Sequence, residues 1–314
     1  MTRKPLQQLF DALHRNKFSF EEFLHLRVED HYEEVPWRGR AIYKPSKTLK
    51  ALHVFLNSFV FEYLSVNDRT SFAYRKGAAL PDAVTPHANS RAVYQTDFKK
   101  FFDSITASRV RSVIAESSTP VEDIHNYLDR IVELTTVKGR LPIGFSTSPL
   151  LSNACLRPLD DLLERECEQR SWIYSRYADD IIISAQGLDG IKGVECVIEK
   201  CINDSLGEDF KINHSKSRLT TVGRNIKILG LVILPSGRVT IDKEIRKKVE
   251  WQLHYFVTDK ARLEKIYDEN FDEELKRLSG YISHIYAVDE LYFEKLQRKF
   301  GTTVIDSFLH RTAQ

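Results

Sequence analysis

The 314-residue chain is 42% hydrophobic and 29% charged, with 13 Gly, 10 Pro and 4 Cys. That composition fits a soluble globular protein of one large domain or two modest ones. No apolar run approaches the ~20 residues that a membrane span requires, and the charged N-terminus lacks the apolar core of a secretory signal. A cytoplasmic protein with no membrane partner is therefore expected. The net charge of +2 hides an asymmetry, because residues 36–100 hold eleven Lys/Arg against four Asp/Glu.

In chain order, "EEFLHL" and "LKALHVFLNSFVFEYL" have helical spacing. The basic segment interleaves charge with aromatics ("WRGRAIYKPSK", "FAYRKG"), a pattern suited to phosphates and bases as well as to a solvated face. "AVYQTDFKKFFDSI" opens as a strand and should turn helical after Asp97. "VEDIHNYLDRIVELTTV" reads as an amphipathic helix entered through Thr119 and Pro120, and "SPLLSNACLRPLDDLLERECEQ" as a second, kinked at Pro158. "WIYSRYADDIIISA" predicts two short strands about a tight turn, and "GVECVIEKCINDSLGEDF" a helix. "FKINHSKSRLTTV" and "KILGLVILPSGRVTI" are β-rich, with a hairpin across Pro235–Gly237, and the rest is helical. The mixture lacks a βαβ rhythm, so the expected class is α+β, an antiparallel sheet with helices on one face. Cys155, Cys167, Cys196 and Cys201 have no CxxC pairing or zinc-spaced histidines and read as buried or incidental thiols.

Asp179 and Asp180 stand side by side between apolar residues, where each charge resists desolvation. Exposure on a turn, or a bound cation, removes that difficulty. Asp97 closes another apolar strand. If the two strands are neighbours, three carboxylates converge, and such a group suits a pair of divalent cations engaged in phosphoryl transfer.

The motifs then occur in a recognisable order: "RAIYKPSKTLKALHVFL", "SFAYRKGAALPDAVTPH", "TDFKKFFDSI", "GRLPIGFSTSPLLSNACLRPLD", "YADD", "INHSKS", "ILGLVI" and "LSGYISHIYAVDELYFEKLQRKFG". Over roughly residues 36–300 the chain resembles reverse transcriptases of the prokaryotic retron and defence-associated type. The resemblance implies a right-hand polymerase. Residues 1–35 would be a helical extension, 36–235 fingers and palm with an antiparallel sheet carrying YADD, and 236–314 a helical thumb. It implies RNA-directed DNA synthesis on a dedicated structured non-coding RNA that serves as template and primer. Two Mg²⁺ ions (or Mn²⁺), dNTPs, a DNA product, a role in anti-phage defence and an effector partner are implied as well.

By the same resemblance Asp97 and Asp179 would bind both metals, with Asp180 on the opposite face in a lesser role and the Phe98 carbonyl completing a shell. Phe102 would block a ribose 2′-hydroxyl, against core packing as the alternative. Arg75 and Lys76 would neutralise the incoming triphosphate, Lys216 would act on pyrophosphate, and Gly144 would shape the nucleotide pocket. Lys44, Lys47, Ser148, Pro149 and Gly230 would meet nucleic acid. The chain departs from the family in three places. Ile143 replaces the usual Gln, "DAVTPH" keeps Ala83 and His87 of a retron element but lacks its Asn, and "ILG" stands for Val-Thr-Gly. A non-catalytic RNA-binding scaffold and a two-metal hydrolase are the competing readings. The first would be expected to lose an acid, and the second has no use for Phe102.

Overall fold

The computed structural model describes residues 3–15, 17–187, 189–221 and 226–311. The chain begins with α1 (Leu6–His14) and α2 (Phe20–His25), the latter opened by a capping box between Ser19 and Glu22. A hairpin of β1 (Tyr32–Trp37) and β2 (Arg40–Pro45) follows, turning at Arg38 and Gly39, both at positive φ. Next come α3 (Lys47–Phe59), capped by Ser46, α4 (Leu80–Val84) and β3 (Ala92–Asp97). The helices α5 (Ala107–Ala115), α6 (Leu128–Thr135), α7 (Ser148–Cys155) and α8 (Arg157–Gln169) lead to β4 (Ile173–Tyr177) and β5 (Asp180–Ala185). After α9 (Val194–Leu206) come β6 (Arg218–Thr221), β7 (Ile226–Ile228), β8 (Leu231–Ile233) and β9 (Val239–Ile241). Five helices close the chain: α10 (Lys243–Thr258), α11 (Lys260–Tyr267), α12 (Phe271–Val288), α13 (Glu290–Phe300) and α14 (Thr302–Arg311).

Three expectations change. The residues after Asp97 form turns and one 3₁₀ turn (Phe102–Ser104) rather than a helix, since Lys100 sits at φ 51° and breaks helical propagation. The entry near Thr119 is not a helix cap, because its hydroxyl accepts from the Val121 amide and α6 begins only at Leu128. Pro158 does more than kink its helix: α7 and α8 are separate, parted at Leu156. All four cysteines are free, three buried and Cys196 exposed.

The chain packs as two compact units, each built from non-contiguous segments. The first comprises residues 1–78, 94–184 and 189–218. The strands at its centre follow the order β4-β5-β3, with β3 buried along its length and Ile181, Ile182 and Ile183 of β5 contributing core. On this sheet α8 packs against β4, and α9 packs on α8. The N-terminal helices are fastened by an aromatic cluster in which Phe10 meets Phe20 at 5.5 Å and Phe55 of α3 at 5.1 Å.

The second unit comprises residues 79–93, 185–188 and 219–314. Its antiparallel sheet runs β7-β8-β9, and its helices gather around α12. The early segment 79–93 belongs here. Helix α4 packs on α12, and a Cβ at Gly237 would come within 2.7 Å of the Asn89 side chain.

Candidate active site

Strands β4 and β5 pair antiparallel from Ile173↔Ser184 to Tyr177↔Asp180, leaving a two-residue turn of Ala178 and Asp179. Ala178 holds φ 57°, the left-handed geometry that tight hairpins favour and that a Cβ makes costly. Asp179 therefore stands at the tip and Asp180 opens β5, whose neighbour β3 ends at Asp97. Beyond Asp97 the chain is flanked by residues 211–213, through bonds from the Lys99 amide to Lys211 and from the Asn213 amide to Asp97, both 2.8 Å. That pairing delivers Lys216, whose Nζ lies 2.5 Å from Asp97 Oδ2.

Burial raises the Asp179 carboxyl above the ordinary carboxylate range, and the charge of Asp97 adds to it, while a backbone hydrogen bond, Lys216 and Arg40 pull the other way. Burial, then the charges of Asp179 and Asp97, push Asp180 up to about 6. Acids whose charge is disfavoured first by burial and then by one another are suited to a cation that would offset that charge. Asp97 supplies an independent sign, since its Oδ1 is buried with no hydrogen-bond partner. An all-carboxylate donor set with one bare buried oxygen fits a hard divalent ion.

The three acids open on two cavities rather than one. Asp97 and Asp180 line a space of about 330 Å³ with Gln95, Thr96, Lys216 and Arg218. Asp179 lines a larger one of about 610 Å³, whose walls include Arg40, Tyr43, Lys100, Phe102 and Ile143. The charge of Asp97 acts on Asp179 and on Asp180 alike, so the three carboxylates influence one another across these spaces. Among the described residues, the three side chains whose donor atoms all lie within 4.8 Å are elsewhere: Glu195, Glu199 and His214. There both imidazole nitrogens are already engaged, Nδ1 with Glu195 at 2.6 Å and Nε2 with Glu199 at 3.3 Å. That group is closed upon itself.

Phe102 lies in the cavity wall and is only half-buried, whereas Phe98 and Phe101 are the core residues at 3% and 5% exposure. Arg75 and Lys76 line a separate cavity of about 380 Å³. Arg75 donates to the Asp68 and Ser71 carbonyls, and Lys76 pairs with Glu62. The Ser148 side chain is buried and its hydroxyl donates to the Pro142 carbonyl, which leaves it a brace for the pocket loop, while Pro149 sits in the first turn of α7. Lys44 and Lys47 are exposed, on β2 and at the start of α3. Gly230 forms the β7–β8 turn with Leu229, at φ 83° and 51°. Sequence reasoning missed Lys100, in the wall of the Asp179 cavity, and Arg40. Arg40 sat unmarked inside the quoted basic motif, and only the unforeseen β1–β2 hairpin carries it to Asp179.

Gly144 has a double constraint. Its φ is 109°, and a Cβ would stand 2.3 Å from the Tyr43 carbonyl oxygen, where the Tyr43 amide already bonds the Ile143 carbonyl at 2.7 Å. Gly144→Ala is expected to destabilise the fold by about 3 kcal/mol or more, since backbone cannot yield as a side chain can. Urea unfolding measures it, and a loss under about 1 kcal/mol would show that the loop relaxes freely.

Comparison with known proteins bears on the whole arrangement. The family model described as "Reverse transcriptase (RNA-dependent DNA polymerase)" matches residues 36–233. The chain is 30% identical to the retron Ec73 reverse transcriptase of Escherichia coli, over 83% of each chain. It is 28% identical to the retron Ec86 reverse transcriptase of the same organism, over 84% of this chain and 78% of that one. Among solved structures, apo telomerase from Candida tropicalis superposes with a TM-score of 0.52 at 14% identity, covering 89% of this chain and 60% of the telomerase. That likeness concerns the fold alone.

Proposed function

Because the chain belongs to the reverse transcriptase family and is an RNA-directed DNA polymerase of the retron type, we propose that it copies one dedicated structured RNA into DNA at the Asp97–Asp179–Asp180 site, in the service of anti-phage defence. The observation that carries the site assignment is the bare buried oxygen of Asp97 beside two acids raised by burial and mutual repulsion. In this reading residues 36–235 are fingers and palm and 236–314 the thumb. The family works with divalent metal ions, and two Mg²⁺ held by the three acids and the Phe98 carbonyl would activate the attacking hydroxyl and the leaving oxygen. Arg40 and Lys100 face the triphosphate, Phe102 lies beside the sugar, and Ile143 replaces a polar contact with an apolar one. Lys216, released from Asp97, donates a proton to departing pyrophosphate. Arg75, bonded to its own loop, supports that loop rather than the triphosphate.

Sequencing the nucleic acid that co-purifies with the protein tests the reading. One RNA species with DNA copied from it is expected. A mixture of cellular RNAs would sink the dedicated template, and RNA with no DNA would favour the scaffold reading. Phage plaque counts on cells with and without the gene test the defence role.

The basic segment supplies a further expectation. Lys44→Glu with Lys47→Glu should weaken RNA binding and lower the salt slope by about one unit per lost phosphate contact. Arg40→Ala should leave RNA affinity nearly unchanged and raise the dNTP KM. Parallel losses of RNA affinity in all three would reduce the segment to a general phosphate-binding face.

A further inference from the structure

Among the described residues, the largest side chain wholly removed from solvent is a cation, Arg176, three residues before Asp179. Its partner Asp160 on α8 is equally buried. Arg176 Nε donates to Asp160 Oδ1 at 2.7 Å and Nη2 to Oδ2 at 2.6 Å, a bidentate pair, and the Tyr174 hydroxyl also donates to Oδ1 at 2.7 Å. A core ion pair needs nothing more. Arg176 nevertheless sends three further bonds elsewhere. Nη1 donates to the Ala178 carbonyl at 2.8 Å, which is the peptide that joins Ala178 to Asp179. Nη2 reaches Ser71 Oγ and Asn153 Oδ1, each at 2.9 Å.

Those acceptors, Ser71 in the 70–75 loop and Asn153 on α7, fasten a second segment. Ser71 bridges to Arg176 along the backbone, with the Arg176 amide on the Thr70 carbonyl at 2.7 Å and the Phe72 amide on the Arg176 carbonyl at 3.0 Å. Asn153 adds a bond from Nδ2 to the Ala73 carbonyl at 2.8 Å. Directly after these ties comes Tyr74, 42% exposed at φ 59°, a conformation a bulky residue holds only when its surroundings impose it.

We propose that Arg176 is a positioning residue that locks the Ala178–Asp179 turn and the 70–75 loop to one buried carboxylate, so that the Asp179 turn and that loop keep a fixed relation. The inference rests on the polymerase reading for its consequence, though not for its geometry. Only a guanidinium can do this. Its planar fork serves four acceptor groups at once, whereas a lysine ammonium would keep the charge opposite Asp160 and reach fewer of them.

Arg176→Lys in the full chain, with Ser71→Ala beside it, decides the matter through amide hydrogen exchange and steady-state primer extension. Arg176→Lys should quicken exchange at least tenfold in peptides covering 70–75 and 176–180 while leaving α12 unchanged. Its kcat should fall at least tenfold, with the dNTP KM within threefold of the parent. Ser71→Ala should quicken exchange in 70–75 alone, and it carries the test if the lysine variant does not fold. Exchange that rises uniformly, or does not rise in either segment, or a folded Arg176→Lys protein with the parental kcat, would overturn the assignment and leave a plain core ion pair. If the parent protein itself makes no DNA, the polymerase reading fails, and the exchange pattern still decides whether the lock exists.

Discussion

Asp179→Asn, purified and supplied with Mg²⁺, should extend a primer at least a thousandfold more slowly than the parent, a loss of about 4 kcal/mol in the transition state. The substitution keeps the size of the side chain and removes one charge from a group whose three acids have no other reason to be together. Folding should survive. The ionised carboxylate is already disfavoured by burial and by Asp97, so a neutral amide relieves repulsion in the absence of metal. Circular dichroism and thermal unfolding establish that the variant is folded, and single-turnover extension on an RNA template gives the rate. Undiminished extension by a folded, metal-replete variant would end the assignment of Asp179 as a metal ligand.

Phe102→Ala should shift the choice of sugar. The ring forms part of the wall shared with Asp179 and meets Phe101 edge-on at 5.0 Å. Removing it opens space beside the incoming ribose and leaves Phe98 and Phe101 stacked at 5.7 Å in the core. Ribonucleotide incorporation relative to deoxyribonucleotide should rise about a hundredfold, near the upper range for a steric pocket. The ratio of kcat/KM for dNTP and rNTP on one template measures it. An unchanged ratio, with lowered stability, would return Phe102 to a packing role.

The parts of the site that could be read in the sequence are those where local pattern and chemistry coincide. An apolar strand ending in Asp97 and a strand–turn–strand carrying Asp179 and Asp180 announce themselves, because alternation and carboxylates are both visible in one dimension. The β1–β2 hairpin is less legible. Its strands are exposed at most positions and include Pro36, so no buried face imposes a period of two. Arg40 went unnoticed for that reason. Ser148 and Arg176 were hidden differently, since a hydroxyl or guanidinium in a motif looks like a ligand contact until burial shows that backbone and Asp160 have claimed it. The turns after Asp97 follow from the left-handed Lys100, a conformation that composition does not disclose.

The membership of residues 79–93 in the second unit has a consequence in time. During synthesis α4 leaves the ribosome long before α12, the helix it packs against, which begins roughly 190 residues further on. At about 5–20 residues per second the wait is on the order of ten to forty seconds, during which Ala83, Val84 and His87, all buried in the finished protein, have no surface to cover them. Any chain ended near residue 235 would make that exposure permanent. The nascent polymerase should therefore depend on chaperones until its last quarter has emerged, and pieces cut near residue 235 should be far less soluble than the whole.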